Sequence, residues 1–166
     1  PQDRKVVLAA RQAANETLVE KGKGNEGVFC GAAIELSDGT IVTGKNSAVL
    51  HAVSSLVLNA VKQLAGIPDK IHLLSPNIIE SVKNLKQGIM NAKSASLDLD
   101  EALIALAISA TTNSTAQLAL EKLKELKGCE VHMTYMPTPG DEAGLKRLGI
   151  NLTADPNFSV GSFSNL

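Results

Sequence analysis

Apolar residues first recur at helical spacing in Lys5 to Glu20, where Val6, Leu8, Ala9, Ala13 and Leu18 predict an opening helix. Gly22-Lys23-Gly24-Asn25 stops it. The pattern then changes. Val28 to Leu36 is rich in β-branched and small residues, Asp38-Gly39 supplies a two-residue turn, and Thr40 to Thr43 returns as a second strand. Ala48 to Ala65 reads as a long helix, closed by Gly66 and followed by Pro68. Ile71 to Leu74 fits a short buried strand. Ser75-Pro76 then offers an N-cap and a first-turn proline for a helix running to about Gln87.

The second half is mostly helical. Asp98-Leu99-Asp100-Glu101 has the form of a capping box and starts a helix through about Ala110. Its stretch Leu103 to Ile108 is apolar on every side, which predicts burial in the core or between subunits. Asn113 caps another helix to Leu126, with Lys122, Lys124 and Lys127 at its negative end and Gly128 closing it. Cys129 to Tyr135 reads as a strand with Val131, Met133 and Tyr135 on one face. Pro137 to Gly140 turns, Asp141 to Leu148 forms a short helix, and Ile150 to Thr153 a last strand.

This order predicts a single α/β domain over residues 1–153, built as a three-layer α/β/α sandwich. Its mixed sheet has about five strands, with a hairpin at the edge and an inserted helical pair at about 90–127. The late alternation of strands and helices implies a largely parallel sheet. A plain doubly wound fold fits less well: it would not open with a tight hairpin, and no G-x-G-x-x-G follows a strand. Residues 154–166 lack any period and read as a loose tail.

Composition narrows the function classes. The 44% hydrophobic content over 166 residues is enough for a core. The net charge is −1 and the charges are scattered, so no basic stripe tracks a phosphate backbone. Aromatics (Phe29, Tyr135, Phe158, Phe163) are too few for base stacking, so nucleic acid is not an expected partner. The longest apolar stretch, Ala102 to Ile108, falls far short of the ~20 residues a membrane span needs. Arg4-Lys5 opens onto a mixed helix rather than a signal peptide. Cys30 and Cys129 form no disulfide framework, which predicts reduced thiols and a cytoplasmic protein. The chain opens at Pro1 without Met, as a piece of a longer protein would.

Lys45-Asn46-Ser47 joins the second strand to a helix start. Free backbone N–H groups there, with Lys45, would receive an anion; simple capping by Asn46 or Ser47 is the structural alternative. Ser75-Pro76-Asn77 is a second such start. Ligands of open α/β sheets bind outside the strand carboxyl ends, so a crevice between these two starts is the expected site, with His51 as a further contact. Ser47, Ser54 and Ser55 lie near His51 in sequence. A nucleophilic pair there needs an orienting acid, and Asp141 or Glu80 would have to be brought to it by the fold. No G-x-S-x-G elbow occurs. Cys30 beside Gly31 reads as core, and Asp98, Asp100 and Glu101 read as capping rather than as a cation loop.

Two resemblances attach to these residues. Through Gly31-Ala32-Ala33, Gly39, Gly44-Lys45-Asn46-Ser47, His51-Ala52 and Ser75-Pro76, the span Gly27 to Thr153 resembles the cytidine-deaminase-like superfamily. Zinc deaminases need a His or Cys followed two residues later by a Glu, then Pro-Cys-x-x-Cys. Here Val53 stands in place of the Glu and no Cys lies near Pro76, so no metal and no cofactor are expected. Nearly the whole chain resembles the C-terminal domain of uncharacterised protein family 0371, a bacterial family of unknown function. The segments Asp38 to Ser47, Leu97 to Leu106 and Lys127 to His132 carry that resemblance. It implies an N-terminal domain with a Gly-rich, P-loop-like stretch that has no equivalent here.

The expected function is a non-catalytic, deaminase-like domain that binds a small anionic or nucleotide-like ligand, or a partner domain, in a structural or regulatory role. Aliphatic helix packing adds an expectation of homo-oligomers. The alternative is a zinc-free hydrolase or transferase acting on a nucleotide-like substrate, with a titratable group of shifted pKa at His51 or Lys45.

Overall fold

The computed structural model describes residues 4–19, 23–25 and 27–158. In chain order its elements are α1 (Lys5–Val19), β1 (Gly31–Glu35), β2 (Ile41–Lys45), α2 (Ala52–Ala65), α3 (Pro76–Lys83), a π-helical turn (Asn84–Ile89), α4 (Leu99–Ser109) and α5 (Ser114–Glu121). A 3-10 turn (Lys122–Leu126), β3 (Glu130–Met133), α6 (Pro139–Arg147) and β4 (Asn151–Ala154) complete it. The sheet order is β2-β1-β3-β4. β1 is antiparallel to both of its neighbours, and β3 and β4 are parallel. β2, β3 and β4 therefore run in one direction and β1 in the other.

The sheet is sandwiched between helices on both faces. Along α1, Val6, Val7, Ala10, Ala13 and Thr17 form one buried stripe. Val6 and Ala10 of that stripe pack on Ala33. On the opposite face Ala32, Ile34, Val131 and Met133 share one core with α2, whose Leu56, Val57, Ala60 and Val61 are fully buried. Helices α4 and α5 pack on α2, and α6 packs on α4. Two glycines permit the close approach of the layers. A Cβ on Gly31 would strike the Ala10 carbonyl and the Ala14 amide of α1, and one on Gly44 would strike the backbone of Leu56 and Ala52 in α2.

A polar clamp ties α1 to the far end of the chain. Arg11 donates to both oxygens of Asp155, at 3.1 and 2.8 Å. His132 of β3 meets Asp155 through Nε2 at 3.0 Å and Thr153 through Nδ1 at 2.8 Å. Arg4 donates to the Thr153 hydroxyl at 2.9 Å.

Several sequence expectations are corrected. The sheet has four strands among the described residues, because Ile71 to Leu74 pairs with nothing. β2 and β3 already take both sides of β1, and the segment instead buries Leu73 and Leu74. The sheet is mixed, as expected, but less parallel than the late strand-helix alternation implies, since two of its three pairings are antiparallel. The hairpin loop is longer than two residues: Leu36 N–H donates to the Thr40 carbonyl, and Gly39 turns the chain at φ 89°. Helix α2 starts at Ala52, not at Ala48. Leu103 to Ile108 is not buried all round: Ile104 is 62% and Ile108 49% exposed, because neighbours cover only one side of α4. The first residues after β4 are tied to the sheet. Asp155 is bonded as above, Asn157 donates to the Thr134 carbonyl, and residues 159–166 lie outside the described residues.

A methyl group tests the close approach of the layers. Gly31→Ala and Gly44→Ala each lower stability by about 1–3 kcal/mol in urea unfolding, through overpacking against backbone. Gly88→Ala, where an added Cβ meets nothing within 4 Å, stays neutral or gains up to about 1 kcal/mol.

Candidate functional site

The carboxyl ends of β2 and β3 lie at one edge of the sheet, and each leads into a helix there. The loop after β2 ends at His51, the residue before α2. The segment after β3 turns at Thr138 into α6. A short parallel bridge brings in a third helix. Leu50 pairs with Leu97, Leu97 N–H donates to the Val49 carbonyl at 2.8 Å, and His51 N–H donates to the Leu97 carbonyl at 2.9 Å. Asp98 and Leu99, which open α4, are thereby set beside His51.

Asp141 joins these three starts. One carboxylate oxygen meets His51 Nδ1 at 2.9 Å, and the other accepts the Leu99 amide at 2.9 Å. The Asp141 side chain is 3% exposed and that of His51 29%. A carboxylate accepts hydrogen bonds only, so Asp141 holds the imidazole proton on Nδ1. His51 Nε2 is left without a hydrogen-bond partner among the described residues. Burial disfavours the charged imidazole, but the Asp141 hydrogen bond, its charge and that of Asp98 outweigh burial and Lys86, so the His51 pKa is raised above 6.5. Burial likewise raises the Asp98 carboxyl, against the hydrogen bond from the Glu101 amide.

The residues singled out from sequence divide. His51 is at the centre of this arrangement, and Asp141 is the acid the fold brings to it. Lys45 faces α1 instead: its register partner is Gly31, and its ammonium lies 3.2 Å from Glu16. Asn46 is buried and braces the strand ends, accepting from Cys30 N–H and donating to the Val28 carbonyl, each at 2.9 Å. The Ser47 hydroxyl accepts from the Val49 and Leu50 amides within its own turn. Neither Asn46 nor Ser47 caps α2. Ser75 precedes α3 without a side-chain cap, its amide donating to Ser109 Oγ at 2.9 Å, and Asn77 is exposed. The Ser47 and Ser75 side chains make no hydrogen bond to each other among the described residues. A groove of about 280 Å³ runs instead between Ala48-Val49 and the flank of α3 at Ile79 and Lys83.

Three groups were not singled out as site residues: Asp98, the Leu99 amide and Thr138. One signal for the last is present. Thr138-Pro139-Gly140-Asp141 has the spacing of a capping box, and Thr138 Oγ1 does accept the Asp141 amide at 3.3 Å. The Asp141 carboxylate does not turn back on its own helix but crosses to Leu99 and His51.

The residues do not fit the zinc of the deaminases. Val53 is fully buried where the proton-shuttling Glu would stand. Burial pushes the Cys30 thiol up to about 11, the reverse of what a thiolate ligand needs. Cys129 precedes β3, at the opposite end of the strand. Of the nearby nucleophile candidates, Ser54 is occupied: its Oγ donates to the Leu97 carbonyl at 2.9 Å.

Comparison with known proteins places the chain among uncharacterised relatives. Residues 2–163 match the family model described as "Domain of unknown function DUF1846, C-terminal". A UPF0371 protein of Clostridium botulinum (strain Alaska E43 / Type E3) is 46% identical over 157 residues, 94% of this chain and 31% of that protein. A UPF0371 protein of Clostridium tetani is 46% identical over 156 residues, again 94% of this chain and 31% of the relative. One from Clostridioides difficile (strain 630) is 46% identical over 159 residues, 95% of this chain and 31% of the relative. The chain thus spans 31% of the length of these curated relatives.

Asp141→Asn keeps the shape of the acid and removes its charge. The His51 titration midpoint, followed by NMR, moves to lower pH in the variant; a midpoint that stays put shows the pair to be uncoupled. The folded-state pKa of His51 lies above its unfolded value, so the ionic contribution is full below the unfolded value and lost as pH rises through the folded one. The stability gap between wild type and variant is therefore wider in urea unfolding at about pH 5 than at about pH 9.

Proposed function

Since this chain belongs to the DUF1846 (UPF0371) family as its C-terminal domain, and that family has no established function, we infer its role from its own site. It is a small-ligand binding domain within a larger protein, and His51, anchored by Asp141, is the recognising group. One observation carries this reading. A buried carboxylate, itself held by the Leu99 amide, fixes the Nδ1 side of an imidazole whose Nε2 has no partner among the described residues. Such an imidazole is oriented before any ligand arrives, which spares the cost of ordering it on binding. Its raised pKa favours the cationic form, which suits an anionic or nucleotide-like ligand.

The domain is read as residues 1–153, and its scaffold as deaminase-like. What supports the latter is the strand order with β1 reversed, His51 at the start of α2, and the position of the site at the carboxyl ends of β2 and β3. The exposed Ile104 and Ile108 of α4 are assigned to a contact with the preceding part of a longer chain, or with a second copy. No helix among the described residues is long and apolar enough to cross a membrane.

The second reading is a zinc-free enzyme, a hydrolase or transferase, on a nucleotide-like substrate. The same outward Nε2 favours it, because a carboxylate-anchored imidazole is the form a general base takes. Binding is preferred to turnover because three candidate nucleophiles are disfavoured: the Ser47 and Ser54 hydroxyls are engaged in hydrogen bonds and burial raises the Cys30 thiol.

Thermal unfolding against nucleosides, nucleotides, folates and inorganic phosphate tests the proposal. A ligand at about 100 times its Kd stabilises the fold by roughly 2.7 kcal/mol, a rise of about 5–11 °C in Tm. The shift disappears in His51→Ala. A shift that survives His51→Ala places the ligand elsewhere and overturns this site, as does silence across the panel. Turnover of a bound compound, lost in His51→Ala, selects the enzyme reading.

A further inference from the structure

The π-helical turn at Asn84–Ile89 plays no part in the reading above, and it delivers one polar group inward. The Lys86 ammonium donates to Glu101 Oε1 and to the Ser96 carbonyl, each at 2.8 Å, with its side chain 17% exposed. Turns of this kind are rare and concentrate at functional sites. Here the turn carries the residue that reaches the start of α4.

Both acceptors of Lys86 belong to segments that build the site. Glu101 Oε1 also accepts the Asp98 amide at 2.9 Å, and Asp98 Oδ1 accepts the Glu101 amide at 2.9 Å, a reciprocal capping box. The next amide, Leu99, is the one that donates to Asp141. Ser96 precedes Leu97, whose carbonyl accepts the His51 amide and the Ser54 hydroxyl. One ammonium therefore grips the bridge that carries His51 and the cap that carries Leu99.

We propose that Lys86 is a positioning residue for the His51–Asp141 pair: it locks the first turn of α4 so that the Leu99 amide holds Asp141, and through Asp141 the imidazole, in place. The proposal rests on the reading of that pair as the recognition centre. The charged groups acting on His51 are Asp141 of α6, Asp98 at the start of α4, and Lys86 itself. A purely electrostatic Lys86 would act on the imidazole through space and leave the Leu99 amide untouched. A positioning Lys86 acts on the amide first.

Two NMR readouts on the full chain separate these roles without any ligand. The first is hydrogen exchange of the Leu99 amide. The second is the pair of His51 ring-nitrogen shifts at high pH, which report whether the proton stays on Nδ1. In Lys86→Met we expect Leu99 to exchange roughly tenfold faster, the scale of a lost charged hydrogen bond, and the Nδ1–H signature to weaken. Lys86→Arg, which keeps a cationic donor, restores both. Unchanged exchange at Leu99 overturns the proposal, and so does an equal rise at the core amides of Ala32 and Val131, which reports global loosening instead. A ligand panel that gives no thermal shift would sink the binding reading while these two signals stood on their own.

Discussion

The thinness of β1 is the constraint on which the rest of this structure depends. Its first three residues, Gly31-Ala32-Ala33, carry almost no side chain, yet the strand is the antiparallel hub between β2 and β3. Helices α1 and α2 can therefore close on the sheet from both sides until backbone meets backbone at Gly31 and Gly44. A core with few aromatics gains its cohesion this way, from many close aliphatic contacts rather than from a few large rings. The same closeness fixes where α2 begins, and so where His51 stands relative to the ends of the strands.

The site is assembled by backbone before side chains take part. The bridge between Leu50 and Leu97 joins two loops that lie far apart in sequence, and only after it forms do the starts of α2 and α4 adjoin. Asp141 then arrives from α6 as the common acceptor. A buried carboxylate is costly unless its oxygens are satisfied. Here one oxygen takes a backbone amide and the other an imidazole, so the cost is met by groups the fold has already placed. The arrangement differs from a metal site in kind: it orders one titratable ring rather than converging several ligands on a cation.

Much of the architecture was legible in the sequence, because helices announce themselves through caps and period. The Asp98 capping box, the Gly66 stop and the Asn113 cap all stand where their residues predicted. Ile71 to Leu74 misled because a short apolar run has the same composition whether it pairs with a strand or merely fills a gap. Leu103 to Ile108 misled because an apolar sequence states a preference for burial, not the presence of a cover. Within the candidate site, His51 was legible as a polar residue near a helix start, and Asp141 only as an acid that the fold would have to deliver. Lys45 was misplaced because the face on which a strand residue emerges depends on register, and the hairpin loop that sets the register was longer than its Asp-Gly suggested. The π-helical turn left no sequence signal that periodicity can detect.

The clamp between α1 and the end of β4 bears on the order in which the chain becomes itself. Arg4 and Arg11 lie 149 and 144 positions along the chain from their partners Thr153 and Asp155. Contacts this remote along the chain are slow to close, because the entropy of the intervening loop is spent before they reward it. The apolar stripe of α1 is covered by β1 and β2, which are near in sequence, whereas its polar clamp closes only once β4 lies beside β3.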